Sequence, residues 1–257
     1  MSDKSTYRFS DRVDYYVKTR PQYPDEIIDL LINEGVLFPG AIIADIGSGT
    51  GISSEPFLKH GYTVYAVEPN KEMREAAERS LSQYLGEIFL STDGSAEKTT
   101  LMSSSIDGII AGQAFHWFNR EESKKEFQRI LKEKGCVVLM WNDRRTYNTD
   151  FLKVYEDFLQ LFGTDYKKVN HKNVQNQDVF DSFFGHKNYK TVVLNNAQDL
   201  DFEGLKGRVL SSSYMPNEGH NDYDFMISCL KKIFLRYQEK GTVRIEYDTK
   251  IYYGKLE

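Results

Sequence analysis

The feature that most constrains this chain is Asp45-Ile46-Gly47-Ser48-Gly49-Thr50-Gly51, which separates a strand-like run, Ala41 to Asp45, from a helix-like run, Ile52 to His60. Glycines let a backbone bend tightly and approach a ligand with no Cβ in the way. The start of the following helix offers unpaired N–H groups. In a parallel sheet such a bend lies at the carboxyl ends of the strands, where ligands bind. A plain glycine-rich turn is the alternative, but the strand–turn–helix setting is the one that ligand-binding loops of this kind require. A dinucleotide fingerprint needs G-x-G-x-x-G. Counted from Gly47, its third glycine falls on Ile52, and counted from Gly49 it falls on Ser54. Both frames fail, which disfavours a nicotinamide-dependent reductase. What remains is acid-x-G-x-G-x-G with Asp45 at the strand end.

The chain around this bend alternates strand and helix patterns, the signature of an α/β fold with a parallel sheet. Pro24-Asp25-Glu26 opens a helix that Gly35 closes. Further strands are expected over Tyr62–Val67, Glu87–Leu90, Ile106–Ala111 and Cys136–Trp141. Helices are expected from Asn70, a capping residue, to about Leu85, and from Glu121 to Lys132. After Trp141 the rhythm changes to helices at Asp150–Phe162, Val179–Phe184 and Tyr223–Glu239, with strand character at Thr191–Leu194 and from Thr242 to Tyr253. The organisation expected is an N-terminal covering segment (1–35), an α/β core (36–141), and helical cap insertions plus final strands (142–257), all in one compact unit.

Composition removes several classes. With 257 residues and 40% apolar content the chain can bury a core without disulfide or metal staples. No apolar run approaches the roughly 18–20 residues of a membrane helix. The first residues lack a signal core, so no membrane partner and a cytoplasmic location are expected. Cys136 and Cys229 form no disulfide framework, and the five histidines show no ligand spacing, so no metal is expected. A net charge of −5 without a basic block argues against nucleic acid.

Asp45 to Gly51 resembles the first motif, D/E-x-G-x-G-x-G, of the class I S-adenosylmethionine (SAM)-dependent methyltransferases, and matches it at every fixed position. The resemblance runs from about Tyr15 to the C-terminus. It is nearest to small-molecule enzymes such as the menaquinone/ubiquinone-biosynthetic and trans-aconitate methyltransferases. It implies a Rossmann-like parallel sheet with an antiparallel last strand and a helical cap over the carboxyl edge, and SAM as cofactor. Gly47, Ser48, Gly49 and Gly51 would hold the cofactor together with Asp45. Glu68 in Val67-Glu68-Pro69-Asn70 stands 17 residues beyond Gly51, at the second strand end. The family places its ribose-binding acid there, and a carboxylate can accept from both hydroxyls. Ser95-Ala96-Glu97 resembles the adenine-contacting loop, with Ser95 replacing the commoner Asp. Ala111-Gly112-Gln113-Ala114-Phe115-His116-Trp117-Phe118 resembles an A-Q-A-x-H-W-F stretch where cofactor and acceptor meet. Gln113 would line the cofactor, Trp117 the acceptor, and His116 would orient or deprotonate it; a capping role for His116 is the structural alternative.

Arg20-Pro21-Gln22-Tyr23-Pro24 resembles a segment that precedes the first strand in such enzymes. Tyr16 could then face the sulfonium and Arg20 the carboxylate. Ser211-Ser212-Ser213-Tyr214-Met215-Pro216 and the stretch Tyr247–Gly254 also recur in the subfamily. Arg208 and Tyr214 could face the acceptor, whereas Tyr252 and Tyr253 are expected to pack the last strand. The resemblance thus implies methyl transfer to a small-molecule acceptor by a monomer or homodimer. In such chemistry the cofactor supplies reactivity and the protein supplies position, with alignment contributing about 7–11 kcal/mol. An acceptor that is already an anion needs no general base. The alternative is a non-catalytic SAM-binding regulatory or partner protein.

Overall fold

The computed structural model describes Val17, residues 19–164, Tyr166 and residues 176–257. Its framework is a seven-stranded sheet in the order β3-β2-β1-β4-β5-β7-β6. β1 (Ile42–Ile46) lies between β2 (Thr63–Val67) and β4 (Ile106–Gly112), parallel to both. β3 (Phe89–Thr92) continues the parallel array on one side and β5 (Leu131–Arg144) on the other. β7 (Val243–Gly254) runs antiparallel to β5, and β6 (Tyr189–Leu200) runs antiparallel to β7.

Central parallel strands are covered on both faces, so they read as apolar runs. Ile43, Ala44 and Ile46 in β1 and Val137 to Trp141 in β5 are fully buried. The helices α1 (Glu26–Asn33), α2 (Glu55–Lys59), α3 (Lys71–Ser80) and α4 (Arg120–Ile130) connect or flank these strands. Asn70 and Asn119 cap α3 and α4, each accepting through its side chain from a backbone N–H three residues on. The second half adds α5 (Asp150–Phe162), α6 (Gln177–Phe184), α7 (Phe202–Leu210) and α8 (Tyr223–Tyr237). α5, α7 and α8 share an aromatic-rich core with the start of β7, through Tyr155, Leu205, Leu230 and Tyr247 among others. The last strand is antiparallel as expected, and Tyr252 and Tyr253 are buried along it.

Several boundaries differ from the sequence expectation. α2 begins only at Glu55, because residues 51–54 turn back toward Asp45. β5 starts directly at Leu131, so Lys132 to Gly135 are strand rather than helix end. β6 extends well past Leu194, and α7 occupies a stretch with no expected helix of its own.

Strand order reverses between β1 and β4, which makes that crevice the topological switch point. The loops that leave β1, β2, β3, β4 and β5 at their carboxyl ends therefore converge above it.

Candidate functional site

The bend after β1 is built by hydrogen bonds and by left-handed glycines. The N–H groups of Gly47 and Ser48 donate to the carbonyl of Val67 at 2.8 and 3.2 Å, tying the bend to the end of β2. Gly51 N–H donates to the Ser48 carbonyl at 2.9 Å. Gly47, Gly49 and Gly51 have φ of 68°, 55° and 84°. Their surroundings differ. A Cβ on Gly47 would stand 2.7 Å from Ala114 Cβ, and one on Gly51 would stand 2.5 Å from Leu81 Cδ1. A Cβ on Gly49 would meet nothing within 4 Å. Two of the glycines permit packing within the protein, and the third faces open space.

Asp45 is fully buried beneath the bend. Its Oδ2 accepts from Ser53 Oγ at 2.7 Å and Ser54 Oγ at 2.6 Å, so the carboxylate holds the approach to α2. Its Oδ1 is buried and has no hydrogen-bond partner among the described residues. Burial pushes the Asp45 carboxyl up to about 6, against the two serine hydroxyls, and the nearby Glu68 adds to the rise. Glu68 follows β2. Its Oε2 accepts from Gly49 N–H at 3.0 Å and its Oε1 from Asn70 N–H at 2.9 Å. Burial raises this carboxyl too, opposed by those amides and by Arg74. Arg74 donates to the Glu68 carbonyl at 2.7 Å, which fixes the turn through Pro69.

Beyond β3, Ser95 and Lys98 exchange backbone hydrogen bonds at 3.0 and 3.2 Å around Ala96, which is buried. Glu97 Oε1 accepts from Asn119 N–H at 2.9 Å, joining this loop to the cap of α4. Beyond β4, Gln113 sits at φ 57°, a conformation that costs a non-glycine residue about 1–2 kcal/mol. It is held there by its N–H donating to the Met140 carbonyl at 2.9 Å and its Nε2 donating to the Asn142 carbonyl at 3.2 Å. Backbone strain maintained by surrounding bonds marks candidate ligand positions. Phe115 to Trp117 form a single 3₁₀ turn. Phe115 is buried against Phe183, while His116 and Trp117 are half-buried with ring centroids 4.7 Å apart. The close approach of Gly47 to Ala114 brings the β1 and β4 loops together.

The segment preceding α1 crosses the same edge. Tyr23 Oη donates to the Met140 carbonyl at 3.4 Å. Asn142 Nδ2 donates to the carbonyls of Pro21 and Gln22, while its Oδ1 accepts from Thr249 Oγ1 at 2.5 Å. Arg20 Nη2 donates to the Ser211 carbonyl at 2.8 Å, just beyond α7. Tyr16 lies outside the described residues.

Arg208 and Tyr214 stand farther along, toward β7. Arg208 Nε donates to Tyr247 Oη and Nη1 to Ser212 Oγ, each at 3.4 Å. Sequence reasoning did not single out their neighbours Arg144, Tyr155 and Tyr166. Arg144 ends β5, donates to Glu156 and to Tyr166 Oη, and lies 5.1 Å from the ring centre of Tyr155. The only sequence signal for Arg144 is the polar run Asn142-Asp143-Arg144-Arg145 directly after an apolar strand. Among the described residues no group of three or more His, Cys, Asp or Glu is placed to hold a metal ion, and no helix is long and apolar enough to cross a membrane.

Sequence and fold comparisons place the chain among known proteins. Residues 44–139, from β1 into β5, match the family model described as a methyltransferase domain. An uncharacterized methyltransferase of Mycobacterium tuberculosis is 33% identical over 138 residues, covering 53% of this chain and 52% of its own length. An uncharacterized methyltransferase-like protein of Schizosaccharomyces pombe is 33% identical over 140 residues, with 53% and 52% covered. The chain therefore spans about half the length of the curated relatives it matches. Solved structures extend the likeness to nearly the whole fold. A candidate Type II methyltransferase from Anaeromyxobacter dehalogenans superposes with a TM-score of 0.67 at 17% identity, covering 92% of this chain and 97% of its own. A candidate antibiotic-pathway methyltransferase from Anabaena variabilis gives 0.62 at 24% identity, covering 93% and 99%. Residues 44–139 thus resemble a methyltransferase domain, and the sheet around the glycine bend has the Rossmann-like fold of these methyltransferase structures. The likeness is to methyltransferases in general and does not single out the quinone or aconitate enzymes.

Proposed function

We propose that this chain is a SAM-dependent methyltransferase acting on a small-molecule acceptor. The observation that carries the reading is the asymmetry of the bend. Gly47 and Gly51 face protein, while Gly49 faces open space beside the Glu68 carboxylate. That cradle suits a nucleoside. Each Glu68 oxygen accepts one amide and retains lone pairs for ribose hydroxyls. Ser95 and Ala96 would border the adenine, and Gln113 the methionyl part. Asp45 and Pro69 act on the cofactor by shaping the loops that hold it, and Glu97 does the same through Asn119. Arg20 would meet the cofactor carboxylate.

When bound, the cofactor supplies a methyl group on a positively charged sulfur. The residues of this chain bind it, orient it and exclude water. Gln113 and the Phe115–Trp117 turn border the acceptor side. His116 orients the acceptor there, with Trp117 as an apolar wall. The reading places the reaction in the cytoplasm, on a small-molecule acceptor with neither nucleic acid nor membrane as partner, in a monomer or homodimer. Incubation with methyl-labelled SAM and a panel of acid and phenol acceptors tests it. Label transfer to at least one acceptor is the expected result. Bound SAM with no transfer across the panel would favour a non-catalytic binding protein, and calorimetric preference for NADH over SAM would end the reading altogether.

A further inference from the structure

We propose that Arg208 and Arg144 form an anion subsite that receives a carboxylate of the methyl acceptor. The proposal rests on the methyltransferase reading, because it concerns the acceptor side of the same sheet edge. Arg208 projects from α7 into a group of phenols. The groups that face it are the hydroxyls of Tyr247, Tyr155 and Tyr214 and of Ser212, none of them a carboxylate. Its hydrogen bonds to Tyr247 and Ser212 are long, at 3.4 Å each, for a guanidinium with five donors. Among the described residues no carboxylate forms an ion pair with it. Removing a cation from water without a counter-charge is costly.

Arg145 provides an internal contrast. It follows Arg144 in sequence and is matched by Asp248 at 2.6 Å and Glu246 at 3.4 Å, with Asn195 completing its shell. This arginine, held in place between β5 and β7, is neutralised by acids. Arg144 is intermediate. Its Nη2 is engaged by Glu156 and Tyr166, but its Nη1 is buried and has no hydrogen-bond partner among the described residues. Tyr155 connects the two cations. Arg144 lies over its ring, and both arginines counter the rise that burial imposes on its hydroxyl.

The charge balance selects the ligand class. Two guanidiniums and Glu156 leave one net positive charge, which suits a monoanionic carboxylate. A dianionic phosphate would leave the phenol-lined site net negative. Planar guanidinium forks also match carboxylates in geometry. The subsite is connected to the cofactor side through backbone. Asn142, two residues before Arg144, accepts from Gln113 through its carbonyl, and Ser211, three residues after Arg208, accepts from Arg20.

The test is calorimetry on the full chain saturated with S-adenosylhomocysteine, titrated with succinate, benzoate, succinamide and inorganic phosphate. Saturable binding of a carboxylate but not of the amide is expected. Arg208→Gln should weaken that binding about ten- to a hundredfold, as for a lost charged hydrogen bond, with S-adenosylhomocysteine affinity unchanged. Arg208→Lys, which keeps the charge but loses the fork, should fall between the two and serves where the glutamine variant does not fold. No saturable carboxylate binding by the wild type, binding undiminished in both variants, or preference for phosphate would each overturn the proposal. If S-adenosylhomocysteine itself does not bind, the cofactor reading fails. Carboxylate uptake sensitive to Arg208→Gln in its absence would still establish the subsite.

Discussion

Substituting alanine separately at Gly47, Gly49 and Gly51 divides the bend into packing and binding parts. All three positions have positive φ, so each alanine costs about 1–2 kcal/mol in backbone energy. At Gly47 the new methyl would lie 2.7 Å from Ala114 Cβ, a contact with no flexible end to yield. Overpacking of this kind adds about 1–3 kcal/mol, for a total of roughly 2–5 kcal/mol of lost stability. At Gly51 the obstacle is the Leu81 Cδ1 terminus, which can rotate, so the loss should be smaller. At Gly49 the protein offers no obstacle, and stability should fall only by the backbone term. The Gly49 N–H and its bond to Glu68 survive the change. A ligand lodged in the bend would now meet the added methyl, at about 1–3 kcal/mol, which is roughly a five- to 150-fold rise in Kd. Urea melting gives the stabilities, and calorimetric titration with S-adenosylhomocysteine gives the affinities. Gly49→Ala should be the most stable of the three and bind cofactor worse than the wild type. Wild-type affinity in Gly49→Ala, or a stability loss equal to that of Gly47→Ala, would refute the assignment of the open face.

Two other perturbations probe the carboxylates. Glu68→Ala should weaken SAM by about 1.5–3 kcal/mol, read as Kd by calorimetry, and an unchanged Kd removes Glu68 from the sugar site. Asp45→Asn should change how stability depends on pH. Burial raises the Asp45 carboxyl from its ordinary 3.8 to about 6 in the fold, so between these values the native state holds a proton that the unfolded chain has released. The unfolded state thus binds fewer protons, and stability falls as pH rises from about 4 to about 6, by about 3 kcal/mol in all, then levels off. The asparagine variant lacks this fall. Urea melts of both proteins between acid and neutral pH should show their difference growing across that window, and a constant difference would contradict the buried-carboxyl account.

The central strands were legible because burial on both faces forces an uninterrupted apolar run, as in Ile42-Ile43-Ala44 and Val137 to Trp141. β6 was mostly hidden because its second half, Asn195-Asn196-Ala197-Gln198-Asp199, pairs with β7 on one side only and tolerates polar residues. α7 was hidden for a different reason. Gly204 and Gly207 lower its intrinsic preference, and the helix depends on the Asp201 cap, which accepts from Gly204 N–H at 2.7 Å, and on burial of Leu205, Val209 and Leu210. The glycine bend could be read locally because its chemistry is contiguous. The tyrosine–arginine group could not. It is assembled from the end of β5, from α5, α7 and β7, and no spacing within one element encodes it.

Two buried acids and two arginines occupy different parts of the carboxyl edge, which bears on how two ligands would be ordered. Asp45 and Glu68, both held up in pKa by burial, lie at the ends of β1 and β2. Arg144 and Arg208 lie across the switch point, at the end of β5 and on α7. A net-positive cofactor would be attracted to the first pair and repelled by the second, and an anionic acceptor would experience the reverse. Because these groups are partly or wholly buried, salt screens them less than surface charges. The polarity of the edge would therefore favour one arrangement of cofactor and acceptor. Orientation would then be set by groups that take no proton during the reaction, so neither His116 nor any other residue need act as a base for the site to work.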